Sequence, residues 1–306
     1  MNPRGVLVAG GTGFIGSQLL PALLARGLDV WVWSRHPSKA RSRVPVAASV
    51  VGALDDIPSG AAITHIVNLA GAPVVGPPWT RSRRQLLIDS RVRPTTALLA
   101  WSAARAQRPE VMLSASAIGY YGGRDEQWLD EQSAPGAGQF QSLLCEQREA
   151  AANEAGRLGM RAVNLRFGLV FGEAGGIFPR LALAAKLGGA AVLGDGRQWM
   201  SWIHIGDAVR AIELALDDTS LSGPVNLVAP EPVRQRDFQR ALTRALHRPL
   251  WLRVPAGVLR ITLGEMSDLL LRSQRVAPSV LRSRGFEFGY PDIEAALPAL
   301  LRRERS

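Results

Sequence analysis

Three glycines within the first 16 residues constrain the fold of this chain more than any other feature. Gly10, Gly13 and Gly16 form a G-x-x-G-x-x-G arrangement between a strand-like run, VLVAG, and a helical run, FIGSQLL. Glycine permits a tight turn and lets the backbone approach a pyrophosphate, which the first amides of the following helix then face. The pattern therefore predicts a dinucleotide-binding turn, with a purely structural turn as the alternative. The residues expected to contact the cofactor here are Gly10, Thr12, Gly13, Phe14, Ile15 and Gly16.

Short apolar runs alternate with segments of helical period through the first 168 residues. The runs are VLVAG, DVWVWS, HIVNLAG, VMLSAS and MRAVNLRFG. Strands that are apolar nearly throughout, and that are separated by helices, form parallel sheets covered on both faces. The predicted fold class is therefore α/β, with a Rossmann-type doubly wound parallel sheet.

After about residue 168 the chain changes to segments punctuated by glycine and proline, most of them with helical period. We therefore expect a dinucleotide-binding Rossmann domain over residues 1–168. A smaller, mainly helical cap over residues 169–306 is expected to bind the substrate. The run of residues 224–229, PVNLVA, is predicted to be a strand that returns to the main sheet.

The end of the second strand distinguishes an NAD site from an NADP site. An NAD site places a carboxylate about 20 residues after the glycines, where it holds the ribose 2′-hydroxyl. This chain has Ser34 and Arg35 there and no acid, with Lys39 nearby. Because a hydroxyl and a forked guanidinium suit a 2′-phosphate, NADP(H) is the expected cofactor. The alternative is an exposed arginine at the end of a strand.

The net charge of +10 raises nucleic-acid binding as a further alternative. Only Lys39 and Lys186 among the 36 basic residues are lysine, and the arginines are spread along the chain without a zinc-finger or RNP-like motif. Solvated arginine-rich surfaces explain this distribution better. We therefore expect no nucleic-acid partner.

Other classes are disfavoured by the composition. The sequence contains no apolar run of about 18 residues and opens directly into a strand-like segment, so neither a membrane segment nor a signal peptide is expected. The single cysteine, Cys145, excludes an internal disulfide, and four scattered histidines argue against a metal site. We therefore expect a cytoplasmic protein with a small-molecule ligand and no metal, and leave an oligomer open.

Together with the glycine turn, the runs NLAG and SASAIGYYG resemble those of an extended short-chain dehydrogenase/reductase. More narrowly, the chain resembles the YfcH-like epimerase-family proteins, atypical members of that group, over essentially its whole length. The segments that carry the resemblance include NLAGAPV, WTRSRRQLLIDSRV, SASAIGYYG, LGDGRQWMSWIHIGD, GPVNLVAPEPVR and GFEFGYPDIEAAL. The resemblance implies that Leu69, Ala70 and Gly71 lie against the cofactor. It also implies that Arg91 and Arg166 point toward the cofactor.

An ordinary member of this group uses Tyr-x-x-x-Lys on one helix, because the spacing stacks both side chains on one face and the lysine lowers the tyrosine pKa. Neither lysine of this chain has a tyrosine four residues before it, so the motif is absent. Gln141 and Cys145 take the two positions in the helix GQFQSLLCEQREAAA. The groups left near the expected nicotinamide are Ser116, which matches a serine that polarises a substrate carbonyl, and the phenol of Tyr121 or Tyr120. A strand-end hydroxyl and loop packing are the alternatives.

The expected substrate site is the cap segment GDGRQWMSWIHIGD, residues 194–207. In nucleotide-sugar epimerases the equivalent run usually carries an arginine just before the aromatic residue, and Met200 stands there in this chain. The residues expected to form a polar and aromatic rim for a small ligand are Arg197, Gln198, Trp199, Ser201 and Trp202. His204 and Asp207 are expected to fix the cap to the sheet and to take no part in catalysis.

These features lead to two hypotheses from different classes. The first is an NADP(H)-dependent oxidoreductase or epimerase-like enzyme that acts on a small molecule without the usual Tyr-x-x-x-Lys pair. The second, motivated by the missing pair, is a catalytically silent NADP(H)-binding regulatory or scaffold protein.

Overall fold

The computed structural model describes residues 4–302. Its strands are β1 (Gly5–Ala9), β2 (Asp29–Trp33), β3 (Ser49–Val51), β4 (Ile63–Asn68), β5 (Val111–Ala117), β6 (Trp128–Leu129), β7 (Arg161–Phe167), β8 (Leu169–Gly172), β9 (Gly175–Gly176), β10 (Ala191–Leu193), β11 (Trp199–Met200), β12 (Trp202–His204), β13 (Gly223–Leu227), β14 (Val233–Arg234), β15 (Leu252–Val254) and β16 (Arg275–Val276). Its helices are α1 (Phe14–Ala25), α2 (Pro37–Arg41), α3 (Arg81–Ala104), α4 (Phe140–Asn153), α5 (Phe178–Lys186), α6 (Ile205–Asp217), α7 (Gln235–Ala245), α8 (Ala256–Leu263), α9 (Asp268–Leu271), α10 (Ser279–Ser283) and α11 (Ile293–Leu300).

Seven strands form one parallel sheet in the order β13-β7-β5-β4-β1-β2-β3. The chain leaves β1 toward β2 and β3, and then returns to the other side of β1 with β4. Open α/β sheets bind ligands outside the carboxyl ends of their strands, at the point where the strand order reverses. That point lies between β1 and β4 here. The predicted Rossmann-type sheet is confirmed, and β13 is the predicted returning strand.

Alternate residues of the strands enter two different cores. In β1, Val6 and Val8 belong to a cluster that includes α1 and α6, whereas Leu7 and Ala9 belong to a cluster that includes α3. All four side chains are buried. Because both faces of the sheet are covered, the strands are apolar nearly throughout, which is the pattern that the sequence displays.

The C-terminal part of the chain has a core of its own. Phe171, Phe178, Trp202 and Phe238 are buried together with one face of α11. Six of the helices lie in this part of the described chain besides α6, and its own strands are short. Helix α6 packs against α1 on the main sheet instead. The division of the chain at residue 168 stays a prediction.

Two further observations concern the described residues alone. Between residues 4 and 302, no helix combines the length and the apolar character needed to cross a membrane. In the same range, no three or more His, Cys, Asp or Glu side chains are grouped so as to hold a metal ion.

Candidate functional site

The glycine turn lies at the carboxyl end of β1, immediately before α1. Gly10 has a φ of +80°, and a Cβ on it would lie 2.7 Å from the carbonyl carbon of Leu69. A Cβ on Gly16 would lie 2.6 Å from the oxygen of Gly10, so both positions require glycine. No side chain caps α1 at Gly13, and its first turn contains no acid. The terminal amides and the positive end of the helix dipole are therefore available to an anion.

The side chains of Phe14 and Ile15 serve packing. The ring of Phe14 fills the space beside the β8–β9 hairpin, where a Cβ on Gly175 would lie 2.4 Å from it. Ile15 packs against the core beneath α1. Both residues and Thr12 are half-buried, and their contacts with a cofactor stay predictions.

Ser34 and Arg35 lie beside the glycine turn because β2 is paired with β1. Trp33, the last residue of β2, is the register partner of Ala9 at the end of β1. Ser34 Oγ accepts a hydrogen bond from His36 N at 3.3 Å, and Arg35 is exposed. Their contact with a 2′-phosphate stays a prediction.

Leu69, Ala70 and Gly71 follow β4, the other neighbour of β1. Ala70 N donates a hydrogen bond to Asn68 Oδ1 at 3.1 Å. Gly71 lies against Arg91, since a Cβ on it would be 3.2 Å from the guanidinium carbon. The three residues therefore adjoin the reversal point of the sheet, and their contacts with a cofactor stay predictions.

A cavity of about 260 Å³ opens at the same edge of the sheet, beyond β5 and β7. Its wall is formed by Trp79, Arg91, residues 116–119, α4, and residues from 167–169, 198–201 and 268–274. Most of this wall is apolar, with a few polar groups. Such a composition is typical of small-molecule sites.

Ser116 lies in the wall of this cavity, near the end of β5. Its hydroxyl donates a hydrogen bond to Glu149 Oε1 on α4 at 2.6 Å. Buried Glu149 also accepts bonds from Arg166, from Nε at 2.9 Å and from Nη2 at 2.7 Å. The serine is thus held by a carboxylate that an ion pair fixes in turn, and the lone pairs of its oxygen remain for a ligand.

Tyr121 and Arg166 lie outside the wall of the cavity. The Tyr121 hydroxyl is buried, donates to Asn226 Oδ1 at 2.7 Å and accepts from Arg166 Nη1 at 2.9 Å. Burial raises the pKa of Tyr121 to about 12. The prediction that this phenol gives a proton to a substrate is therefore corrected, because its bonds close a buried network. The predicted contact of Arg166 with the cofactor is corrected as well, since its guanidinium is committed to Glu149 and stacks 3.5 Å from the ring centroid of Tyr120.

The face of α4 toward the cavity carries Gln141, Cys145 and Arg148. Cys145 Sγ donates a hydrogen bond to Ala117 O at 3.6 Å. Burial raises the pKa of the Cys145 thiol, and the charge of Glu149 adds to the effect. The thiol is therefore protonated near neutral pH, and in that form it is a poor nucleophile.

Arg148 is a cavity residue that the sequence reasoning missed. It is 5% exposed, and its Nη2 donates to Asn68 O at 2.8 Å. The signal that could have found it is its position three residues after Cys145, on the same face of the helix. Arg91, predicted to point toward the cofactor, lines the same cavity and donates from Nη2 to Ala72 O at 3.0 Å.

Three residues of the predicted substrate rim reach the cavity, namely Gln198, Trp199 and Ser201. Gln198 Nε2 donates to Leu270 O at 3.0 Å, which ties the segment 268–274 to the cavity wall. The ring of Trp199 lies between the guanidiniums of Arg234 and Arg275, at 4.2 and 4.4 Å from its centroid. The sequence offered no signal for the segment 268–274 itself.

The other two residues of that rim lie elsewhere. The predicted contact of Trp202 with a substrate is corrected, and that of Arg197 stays a prediction. Trp202 is fully buried, with its ring stacked 5.7 Å from that of Phe171 and its Nε1 donating to Glu231 O at 3.2 Å. Arg197 is exposed and lies outside the cavity wall.

His204 and Asp207 make structural contacts, in line with the role expected of them. The Asp207 carboxylate accepts hydrogen bonds from Gly289 N at 3.1 Å and from Tyr290 N at 3.0 Å. The ring of His204 lies 3.9 Å from that of Tyr290, centroid to centroid. Both residues thus hold the C-terminal part of the chain to α6.

Comparison with known families supports the resemblance found in the sequence. The model of the NAD dependent epimerase/dehydratase family matches residues 6–227, and that of a domain of unknown function matches residues 254–300. Epimerase family protein YfhF of Bacillus subtilis is 35% identical over 303 residues, which are 97% of each chain. Epimerase family protein SH2119 of Staphylococcus haemolyticus is 36% identical over 299 residues, 96% of this chain and 98% of that one.

Solved structures give the same result. The human epimerase family protein SDR39U1, crystallised with NADPH, is 30% identical with a TM-score of 0.86, over 98% of this chain and 100% of that one. A UDP-glucose 4-epimerase of Thermus thermophilus in complex with NAD has a TM-score of 0.79 at 21% identity, over 97% and 98% of the two chains, and shares the fold. The chain therefore belongs to the NAD-dependent epimerase/dehydratase family, as an epimerase family protein of the extended short-chain dehydrogenase/reductase group.

Proposed function

We propose that this protein is an NADP(H)-dependent enzyme, either an oxidoreductase or an epimerase-like enzyme, and that its substrate is a small molecule. It would carry out the reaction without a Tyr-x-x-x-Lys pair. The observation that carries the proposal is the position of Ser116. Its oxygen lies in the wall of a cavity at the same sheet edge as the glycine turn, and its proton is directed to Glu149.

The residues at the reversal point of the sheet fit a dinucleotide. The uncapped start of α1 suits a pyrophosphate. At Gly10 and Gly16 the neighbouring backbone is so close that a side chain has no room. Exposed Arg35 beside the turn suits the 2′-phosphate of NADP(H). The human relative that was crystallised with NADPH supports this choice of cofactor.

The choice of NADP(H) predicts the effect of Arg35→Ala. A charge-assisted hydrogen bond contributes about 1.5–3 kcal/mol, so the Kd for NADPH should rise roughly 10- to 100-fold. The Kd for NADH should change less than about twofold, because NADH has no 2′-phosphate. Titration of protein fluorescence with each dinucleotide measures both values, and Arg43→Ala, an exposed arginine after α2, is the control. Equal losses for NADPH and NADH would refute the assignment.

The acid–base chemistry is assigned to Ser116 and Glu149. When bound, the nicotinamide supplies or accepts a hydride. Ser116 Oγ accepts the proton of a substrate hydroxyl while its own proton passes to Glu149 Oε1 along the existing 2.6 Å hydrogen bond. Reduction of a carbonyl runs the same transfer in reverse. Arg166 keeps the Glu149 carboxylate in place through two hydrogen bonds.

A screen for turnover tests this assignment. Small hydroxy and oxo compounds are mixed with the protein and NADP⁺ or NADPH, and absorbance at the nicotinamide band is followed. Loss of one general acid–base group costs about 10²- to 10⁴-fold, so Ser116→Ala should lose at least 10² in kcat and still bind NADPH. Ser142→Ala is the control, because the Ser142 hydroxyl also lies on α4 and donates a hydrogen bond to Gly119 O. Intact NADPH binding without turnover of any compound would favour the silent NADP(H)-binding protein.

A further inference from the structure

The cavity wall contains two guanidiniums that have only neutral partners within the described residues. Arg148 donates from Nη2 to Asn68 O at 2.8 Å and from Nε to Ser114 Oγ at 3.4 Å. Arg91 donates to the carbonyl oxygens of Leu87 and Ala72, both at 3.0 Å, and to a serine hydroxyl. A buried charge is costly unless it is paired, so this arrangement is unusual for a wall that is mostly apolar.

The carboxylates near these arginines are already engaged. Glu149 accepts hydrogen bonds from Nε and Nη2 of Arg166, and Asp268 in the cavity wall pairs with Arg272 at 2.8 Å. The remaining charge on the cavity wall is therefore positive. Burial, with a smaller contribution from the charge of Arg91, lowers the pKa of Arg148, and a bound anion would offset both effects.

We propose that Arg91 and Arg148 bind a carboxylate or phosphoryl group of the substrate beside Ser116. An anion bound there would give the two guanidiniums the negatively charged partner that they lack within the described residues. A forked guanidinium suits the planar carboxylate and the phosphoryl group alike. Ser116 lines the same cavity, so the anion fixes the substrate with its reacting oxygen at the serine. The assignment of this anion to a substrate rests on the proposed function.

The size of the cavity narrows the substrate further. Its volume of about 260 Å³ lies just below the range of roughly 300–1,000 Å³ that is usual for ligand pockets. Apolar contacts come from Trp79, Phe140 and Leu144. A small hydroxy or oxo acid, or a small phosphate ester, therefore suits the site.

The phosphates of the cofactor are the other source of an anion, and displacement by NADPH distinguishes the two sources. The glycine turn follows β1, whereas Arg148 bonds to Asn68 at the end of β4 and to Ser114 within β5. The two sites thus lie on neighbouring strands. If the arginines instead bound cofactor phosphates, saturation with NADPH would displace an added anion.

The test is a titration of the NADPH-saturated protein with inorganic phosphate and with acetate, followed by the tryptophan fluorescence, to which Trp79 and Trp199 in the cavity wall contribute. Acetamide, an uncharged analogue of acetate, is the ligand control. Both anions should bind, and acetamide should bind at least tenfold more weakly. Competition by NADPH, or equal binding of acetate and acetamide, would overturn the proposal with the wild-type protein alone.

Variants then assign the binding to the two arginines. Arg148→Gln and Arg91→Gln should each weaken phosphate binding at least tenfold, whereas Arg148→Lys should retain part of it. Arg93→Gln, on the exposed side of α3, is the matched control and should leave the Kd unchanged. The Kd for NADPH should change less than threefold in both Arg148 variants and in Arg93→Gln, which also shows that these variants are folded. Undiminished phosphate binding by both glutamine variants would overturn the proposal, whereas absence of turnover with anion binding intact would count against the proposed function alone.

Discussion

Ser116 and Tyr121 both lie on the run SASAIGYYG, but the chain turns between them. Ser116 is still in β5, with its hydroxyl in the cavity wall, whereas Tyr121 ends a 3₁₀ turn that begins at Ile118 and carries its ring into the core. Within a few residues the same functional group thus serves two purposes. The serine hydroxyl faces the cavity, and the phenol holds a buried hydrogen-bond network together.

The stability of the Tyr121→Phe variant distinguishes these purposes. Removal of the hydroxyl leaves Asn226 Oδ1 without its donor and leaves Arg166 Nη1 only its longer bond to Glu131 O at 3.4 Å. The free energy of unfolding should therefore fall by about 1–3 kcal/mol. Denaturant unfolding measures this change, and the Kd for NADPH should be unaffected. Tyr120→Phe keeps the ring that stacks on Arg166 and should change the stability by less than about 0.5 kcal/mol. A loss of turnover without a loss of stability in Tyr121→Phe would contradict the structural role.

At the level of the element, helix α4 carries other polar side chains where a Tyr-x-x-x-Lys pair would lie. Its face toward the cavity presents an amide at Gln141 and a thiol at Cys145, and then the guanidinium of Arg148 one turn later. Side chains on a helix tilt toward its N-terminus, so a long side chain at position 148 extends back toward position 145. This face of α4 therefore carries a positive charge, as it would with the lysine of the usual pair, but the charge belongs to Arg148.

This view predicts that a lysine introduced at position 145 is unfavourable. Cys145→Lys places a third cation beside Arg91 and Arg148 in a site that is 8% exposed, so the free energy of unfolding should fall by at least about 2 kcal/mol. Leu143→Lys, on the 47% exposed side of the same helix, should change it by less than about 0.5 kcal/mol. Urea unfolding of both variants provides the comparison. A Cys145→Lys variant as stable as the wild type would show that the face of α4 does not carry the inferred charge.

At the scale of the whole molecule, the central sheet could be predicted because its long strands are predominantly apolar. The glycine turn could be located because Gly10 and Gly16 occupy positions without room for a Cβ. Burial of the sheet on both faces requires apolar strands, and close backbone contact requires glycine. Both patterns are visible in the sequence, and they predict the fold class and the glycine turn.

The cavity could not be predicted as well, because tertiary packing decides which of several similar side chains faces it. Trp199 and Trp202 lie three residues apart in strands β11 and β12, yet one lines the cavity and the other is fully buried. Asp268 and Gln274 reach the cavity from a segment far along the chain. A charge such as Arg148 reads as an ordinary helix-surface arginine until its surroundings are known. The cytoplasmic location and any oligomer stay predictions.

Cys145 is the one cysteine of the chain, and it lies in the wall of the cavity. A thiol-specific reagent therefore has a single point of attachment. The fraction of molecules whose mass increases by one label is the fraction in which the reagent has reached the cavity. Because the thiol is buried and protonated, labelling reports how often the cavity opens and how far a ligand shields it. The Cys145 thiol, at the position of the lysine in the usual pair, is therefore a chemical probe of whether the cavity is occupied. It can be used even with compounds that the protein does not turn over.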